Sequence, residues 1–470
     1  MMIKRSVFSF FALTFFITFN EISASEKPHI ILVMADDQGW AQMGYMKHPY
    51  LKDKMPHLDQ MAGAGLRFNR FYAGAPVCTP TRATVMTGRT PPRTGAPSLH
   101  KRLCLQEKTI SQALKNAGYV TAHFGKWHLN GVKGPGMPIL PDDPNHPGHY
   151  GFDVWLSMTN FFEMNPLMSR NGTFEYLEGE SSELMVQEAL EFIEANKSRP
   201  TLTVIWYGSP HFPFVYLAKD REGLPAGKHG DHLAEIVAMD RSVGTLRRGL
   251  RDMGIENNTL IWYTSDNGGL STDPDSTGHL QGFKGSLYEG GIRVPAIIEW
   301  PGRIKPAITD FPASTMDIFP TIVDLLDLPE DSMLSVVDGE SIAALFRGET
   351  PSRSHPIPFW SNGKALIDRG FKLMQKGKGK RAHWVLFDLV KDPSEEHDIS
   401  AEYPEKFEAL KAHAEKLDVS IQSSAQGGDY PEGRVLQPQR GTAWMEMQEY
   451  QTLYSTFRKL KPDWNPPSKK

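Results

Sequence analysis

The sequence predicts an α/β protein in which a wound, largely buried sheet carries helices and a smaller carboxy-terminal subdomain follows. Short β-rich apolar runs alternate with segments of helical period, the pattern of strands joined by crossover helices. Gly/Pro-rich stretches also begin at or just beyond strand ends, where ligands collect in open α/β sheets. From about Pro351 the texture shifts to shorter strand-like pieces.

In chain order, the runs that read as strands are His29 to Met34, Thr201 to Tyr207, Thr259 to Thr264 and Ala296 to Trp300. Each is short, rich in β-branched and aromatic residues, and bounded by turn formers. The amphipathic segments Thr109 to Ala117, Glu183 to Ala195, His232 to Met253 and Met316 to Leu326 read as helices. Gly131 to Gly151, Ser209 to Gly230 and Asp266 to Gly291 are the expected active-site loops. Beyond residue 350, Pro356 to Trp360, Ala365 to Met374 and Trp384 to Leu389 read as strands, and Pro404 to Leu417 as a helix. The last 30 residues, with Trp444, Tyr450, Tyr454 and Trp464, lack clear periodicity and either pack on the core or trail free. The expected organisation is residues 1–24 as a signal peptide, 25–350 as a catalytic domain and 351–470 as the subdomain.

The amino terminus supports the first of these divisions. Lys4 and Arg5 precede an apolar run from Val7 to Phe19, followed by Ser23, Ala24 and Ser25. That is the make-up of a secretory signal peptide, with cleavage expected after Ala24 or Ser25. The run falls short of the roughly 20 residues that span a bilayer, so no membrane span is expected and the mature protein is secreted or periplasmic. No cysteine closes the run, so a lipoprotein is not indicated.

The chain has 470 residues, with 40% hydrophobic and 23% charged, which excludes a disordered or collagen-like chain. Fifty-one Lys plus Arg against 55 Asp plus Glu leave a net charge of −4, with no basic footprint for nucleic acid. Two cysteines, Cys78 and Cys104, make no disulfide framework. Asn171-Gly172-Thr173 fits a glycosylation acceptor.

Five clusters carry chemistry. Asp36 and Asp37 follow the first strand, and Asp266 and Asn267 end another in the same way, each pair trailed by glycine. Paired carboxylates at a strand end repel unless a cation sits between them. A lone pair of this kind is equally a turn or a helix cap; two pairs at two strand ends favour a metal. All the donors are oxygens, which suits Ca2+, with Mg2+ second, better than zinc. Cys78 lies between prolines, four residues before Arg82, an unusual setting for an exported thiol, whereas Cys104 reads as structural. Gly125-Lys126-Trp127-His128 places Lys126 and His128 on one face if extended. Pro210-His211-Phe212-Pro213, and Phe283-Lys284-Gly285 with Glu289-Gly290-Gly291, complete the set. Singly these are a packed histidine or a solvated lysine; together they are the inventory of a site that binds a tetrahedral oxyanion and moves protons.

Cys78-Thr79-Pro80-Thr81-Arg82 with Thr87-Gly88-Arg89 resembles the signature of type I sulfatases, the formylglycine-dependent members of the alkaline-phosphatase superfamily. Asp36-Asp37-Gln38-Gly39, Gly125 to His128, Pro210 to Pro213, Ser265-Asp266-Asn267-Gly268 and Lys284 with Gly290-Gly291 match in the family's order. Phe387-Asp388-Leu389 and Asp392-Pro393 look like its late hairpin. Thr81 departs from the pattern, where serine is commoner, and nothing matches beyond about residue 420.

The resemblance implies an alkaline-phosphatase-like α/β/α sandwich with a large mixed central sheet. It implies that a maturation enzyme converts Cys78 to formylglycine (3-oxoalanine), whose hydrate attacks the sulfur of a sulfate ester. Asp36, Asp37, Asp266, Asn267 and the modified Cys78 would hold Ca2+. Arg82 would hold the formylglycine, and Lys126 and Lys284 would clamp sulfate oxygens. His211 would contact substrate and protonate the departing alcohol, while His128 takes the proton that lets the aldehyde reform. The implied substrate is a sulfated glycan outside the cell, such as carrageenan, with glycosaminoglycans, fucans and ulvan also open. The Gly131 to Gly151 and Phe212 to Gly230 loops and the aromatic tail are expected to shape sugar subsites. His146, His149 and the Arg93 to Arg102 segment are candidates to reach further sulfates, or else solvated loop residues. The rival readings are a formylglycine-dependent phosphate or phosphonate ester hydrolase and a glycan-binding homologue without turnover. A zinc phosphatase fits less well, since it needs more His/Asp ligands.

Overall fold

The computed structural model describes residues 27–377, 379–437 and 441–462. The segment expected to be a signal peptide lies outside these residues, as does Trp464. Among the described residues no helix is long and apolar enough to cross a membrane.

An eleven-stranded mixed sheet organises the chain. Its path runs Ala307–Thr309, Leu66–Tyr72, Arg293–Glu299, Thr259–Ser265, His29–Ala35, Thr201–Trp206, Val120–Lys126, Val154–Met158, Leu167–Arg170 and Thr173–Tyr176, with Ala313–Ser314 beside Leu66–Tyr72. The central strands are parallel, while Arg293–Glu299 runs antiparallel to both its neighbours. Successive side chains of a strand face opposite ways. Ile30, Leu32 and Met34 therefore enter one hydrophobic core and Ile31, Val33 and Ala35 the other. Helices Cys78–Thr87, Ile110–Asn116 and Ile318–Leu325 cover the first face. Pro56–Ala64, Ser181–Asn196 and Gly227–Asp252 cover the second. Along the last of these, Leu233, Ile236, Val243, Leu246 and Leu250 recur at helical spacing and are buried on the sheet. This is the α/β/α arrangement expected.

The four expected strands of the sheet and its four helices are present with ends shifted by a few residues. Two readings change. Ala365 to Met374 is a hairpin, strands Ala365–Asp368 and Phe371–Lys376, because Arg369 adopts a φ of 60° and Gly370 completes the turn. The later helix continues past Leu417 to Ala425, burying Ile421. The hairpin belongs to a four-stranded antiparallel sheet with Ile357–Phe359 and His383–Asp388. The aromatic tail packs instead of trailing: Trp444, Tyr450 and Phe457 are buried against Val132, Met137, Leu140 and Leu167.

The parallel register sets up the site. Met34 pairs with Trp206, which pairs with Gly125, and Ala35 pairs with Ser265. Asp36 and Asp266, just past two of these strands, and Lys126, the last residue of a third, meet at one edge of the sheet, the carboxyl ends of its central strands.

Candidate active site

Asp36, Asp37, Asp266 and Asn267 are fully buried at that edge. Asp37 has a φ of 77°, which bends the chain so that its N–H donates to Asp266 Oδ1 at 3.1 Å. Cys78 opens the helix Cys78–Thr87 and lies 3.3 Å from Asp36 Oδ1. Thr81 locks the turn before it, accepting from the Ala75 N–H and donating to the Ala75 carbonyl. A serine hydroxyl makes the same two bonds, so the departure from the family pattern keeps the chemistry.

Three cations face the three carboxylates. Arg82 donates to Asp266 Oδ2 at 2.8 Å and to the Lys126 carbonyl at 2.9 Å. Lys126 Nζ sits 2.5 Å from Asp36 Oδ2, and Lys284 Nζ 2.6 Å from Asp37 Oδ1. Burial alone would raise the Asp36 carboxyl, yet Lys126, His211, Arg82 and Lys284 outweigh it and hold it well below the usual range. At Asp266, burial and the Asp36 charge win over Arg82 and push the carboxyl up to about 7. Burial, with Asp266 and Asp36 beside it, also pushes the Cys78 thiol up, so the thiol stays protonated.

A divalent cation fits this donor set. One ligand atom from each of Asp36, Asp37, Asp266 and Cys78 lies within 4.8 Å of the others. Asn267 donates its amide N–H groups to Asp37 and the Gly268 carbonyl, which leaves its buried Oδ1 without a partner. A buried orphan carbonyl costs about 1–3 kcal/mol, a cost that a metal bond would offset.

A cavity of about 310 Å3 opens over the cluster, lined by Cys78, His100, His128, Phe161, His211 and Lys284 among others. A larger cavity of about 550 Å3, between the Lys108–Ala117 region and Leu328–Ser332, contains none of the candidate residues. Gly125 allows the strand end to reach the site: its φ is 107°, and a Cβ there would stand 2.0 Å from the Trp206 carbonyl. The extended run stops at Lys126, because His128 has a φ of 58°. Lys126 therefore turns into the carboxylates while His128 joins the cavity wall. His128 is held neutral by burial and by Lys126 and His100 nearby. Its Nε2 lies 3.1 Å from His100 Nδ1, and its Nδ1 is buried without a partner. His211 stacks on Phe161 with centroids 4.5 Å apart, and its Nε2 lies 3.8 Å from Asp37 Oδ2. Its Nδ1 lies 2.6 Å from the Phe212 carbonyl, the acceptor that places the ring proton on Nδ1.

All ten candidate residues converge here. Sequence reasoning missed His100, Asn160 and Phe161; His100 falls in the Arg93 to Arg102 segment, but nothing local distinguishes it. Arg93 instead turns inward to Asp338 and Ser424. His146 stacks on Trp155 and His149 meets Tyr150 edge to face, and neither lines the cavity. Asn171 uses its side chain to accept from the Trp155 N–H. Neither cysteine forms a disulfide.

A sulfatase family model matches residues 28–328. Arylsulfatase A of Homo sapiens is 30% identical, covering 83% of this chain and 87% of its own length. N-acetylgalactosamine-6-sulfatase of Canis lupus familiaris is 32% identical over 73% and 70% of the two. Among solved structures, Ps i-CgsB in complex with k-i-k-neocarrahexaose superposes with a TM-score of 0.74 at 26% identity, over 83% of this chain and 93% of that one. With the family match spanning the strands and loops that assemble the acidic quartet, the helix of Cys78 and both cavity histidines, this chain belongs to the sulfatase family and hydrolyses sulfuric esters.

Proposed function

We propose that the chain is an exported sulfatase of sulfated carbohydrate polymers or oligosaccharides, carrageenan-type galactans first, with a formylglycine made from Cys78 as its nucleophile and Ca2+ as its metal. One observation carries this reading: the buried Cys78 sulfur lies within 4.8 Å of an oxygen from each of three carboxylates, beside an unpartnered amide oxygen and below an open cavity. A thiol held protonated among carboxylates is a poor nucleophile, so an oxygen nucleophile derived from it serves the site better. The carrahexaose bound by Ps i-CgsB and the amino-sugar sulfatases among the relatives support a sugar substrate.

Asp36, Asp37, Asp266 and Asn267, with the modified Cys78, would hold the cation. Bound there, it lowers the nucleophile's pKa and neutralises sulfate charge. Arg82 fixes the formylglycine side chain. Lys284, on the cavity wall, and Lys126, behind Asp36, stabilise negative charge on sulfate oxygens as it grows. His211 acts as the imidazolium, keeping the Nδ1 proton on the Phe212 carbonyl and giving the Nε2 proton to the departing alcohol oxygen. His128, neutral and with an unpartnered Nδ1, accepts the proton that lets the aldehyde reform and sulfate leave. The maturation enzyme, the signal peptide and a secreted or periplasmic destination belong to the same reading.

The test is the mass of the Cys78 peptide from protein made beside a formylglycine-generating enzyme, read together with sulfate release from sulfated galactan, glycosaminoglycan, fucan and ulvan fragments. The expected result is aldehyde or hydrate in place of thiol, with release from the galactans. Aldehyde without release from any glycan would move the substrate to phosphate or phosphonate esters. An unmodified cysteine beside competent machinery would overturn the mechanism in favour of glycan binding alone.

A further inference from the structure

Beneath the His211 loop lies a buried chain of polar side chains that the mechanism does not use. Gln42 Nε2 lies 2.7 Å from Asp273 Oδ2 and 2.9 Å from His232 Nε2. Gln42 Oε1 accepts from the Gly39 N–H at 2.8 Å. That last bond removes any freedom to flip the amide: reversed, its NH2 would face an N–H and its oxygen a carboxylate. Gln42 therefore donates one hydrogen to Asp273 and one to His232. His232 must accept at Nε2, so its single ring proton is on Nδ1, 3.1 Å from the Pro210 carbonyl. Burial holds the His232 pKa down to about 4, in keeping with a neutral ring. Asp273 is itself pinned: His48 Nε2 lies 3.0 Å from Oδ2, His229 Nε2 2.9 Å from Oδ1, and the Asp275 N–H bonds Oδ1 at 3.0 Å.

Each bond in this chain has only one possible direction, and the chain ends on the peptide that carries His211. Through Gly39 it also touches the loop that presents Asp36 and Asp37. We propose that Gln42 and His232, anchored by Asp273, are positioning residues for His211, holding the Pro210 carbonyl so that the imidazole stands over the leaving oxygen. This rests on the reading of His211 as the leaving-group acid. The residues are drawn from three segments, the loop after the first strand, the long helix and the Asp266 to Gly291 loop, and they reach the His211 peptide through the Pro210 carbonyl.

Leaving-group dependence separates positioning from simple stability. General acid catalysis matters for a poor leaving group and hardly at all for a good one. The mature, cation-loaded enzyme is assayed on 4-nitrophenyl sulfate and on phenyl sulfate, whose phenol leaves less readily, with a released-sulfate assay on the preferred glycan beside them. His232→Leu and Gln42→Met are expected to lower kcat on phenyl sulfate and the glycan by about 10- to 100-fold, with KM unchanged. On 4-nitrophenyl sulfate they lose less than about threefold. His232→Asn, whose amide nitrogen can replace Nδ1 at the Pro210 carbonyl, recovers most of the loss. His211→Ala shows the same selectivity with a larger loss, and adding His232→Leu to it costs little more. If His211→Ala lowers all three substrates equally, the acid assignment fails. If His211→Ala is selective while His232→Leu and Gln42→Met are not, the positioning role is overturned. Should His232→Leu not fold, Gln42→Met and His232→Asn decide the question alone.

Discussion

The Arg353–Asp317 pair and the cluster around Asp36 both bury opposite charges, and they differ in what closes them. Arg353 donates to both oxygens of Asp317, at 2.7 and 3.0 Å, while the Ser314 and Glu340 N–H groups take the remaining lone pairs. Both Asp317 oxygens are thus satisfied, and with Glu340 Oε1 3.1 Å from Arg353 Nε the group fastens the segment at residue 353 to the one at 317. Around Asp36 three carboxylates face three cations, yet Asn267 Oδ1 has no partner and a cavity opens above. Buried charge thus gives a lock where both oxygens of the central carboxylate are fully bonded, and a binding site where an amide oxygen is held in reserve beneath a cavity.

Breaking the site should cost activity without stability. Cys78→Ala is expected to lower turnover at least about 10^4-fold, with the thermal midpoint unchanged; sulfate release within tenfold of the parent would contradict the nucleophile. Removal of divalent cations by EDTA should abolish the same activity and Ca2+ restore it, as followed by sulfate release, and indifference to thorough chelation would undo the role given to the acidic quartet. Breaking the lock should do the reverse. Arg353→Ala leaves Asp317 buried and uncompensated, and is expected to cost about 3–5 kcal/mol in urea unfolding, with kcat per folded molecule preserved. Lys284→Ala tests the border between the two, since its ammonium both pairs with Asp37 and lines the cavity. It should reduce kcat about 10^2- to 10^3-fold with a smaller change in stability.

Asp240 offers a third arrangement, a buried carboxylate that accepts the Leu58 and His57 N–H groups at 2.7 and 3.2 Å. Burial pushes its pKa up to about 7, against the backbone bonds and Arg241. A carboxyl raised on folding binds its proton more tightly in the folded state. Its stabilising contribution is therefore complete below about pH 4 and lost as pH rises through about 7, worth up to about 4 kcal/mol. Urea midpoints should fall from pH 5 to pH 8, and Asp240→Asn should flatten that fall; an equal slope in both proteins would show that Asp240 titrates normally.

Local pattern was enough for much of this. The strands His29–Ala35 and Thr259–Ser265 are uninterrupted apolar runs ending in acid, so both the strands and the pairs Asp36–Asp37 and Asp266–Asn267 were legible. Leu66–Tyr72 was not, because Arg67, Asn69 and Arg70 interrupt its apolar face. Val120–Lys126 was hidden by a histidine and a glycine in a strand that is buried almost throughout. His123 can sit there because Ser157 bonds its Nδ1 at 2.7 Å, a partner on the next strand.

The sequence by itself determined the α/β class, the order of the motifs and which ten residues to look for as a proposed site with oxygen donors, since each depends on residue type and near-neighbour spacing. Tertiary structure alone decided that His100 pairs with His128, that Asn267 keeps one oxygen unbonded, that the aromatic tail seals Val132 and Leu167, and that Gln42 fixes the proton of His232. Those depend on contacts such as that between Gln42 and His232, 190 positions apart in the chain, which only sheet register and helix packing bring within 2.9 Å.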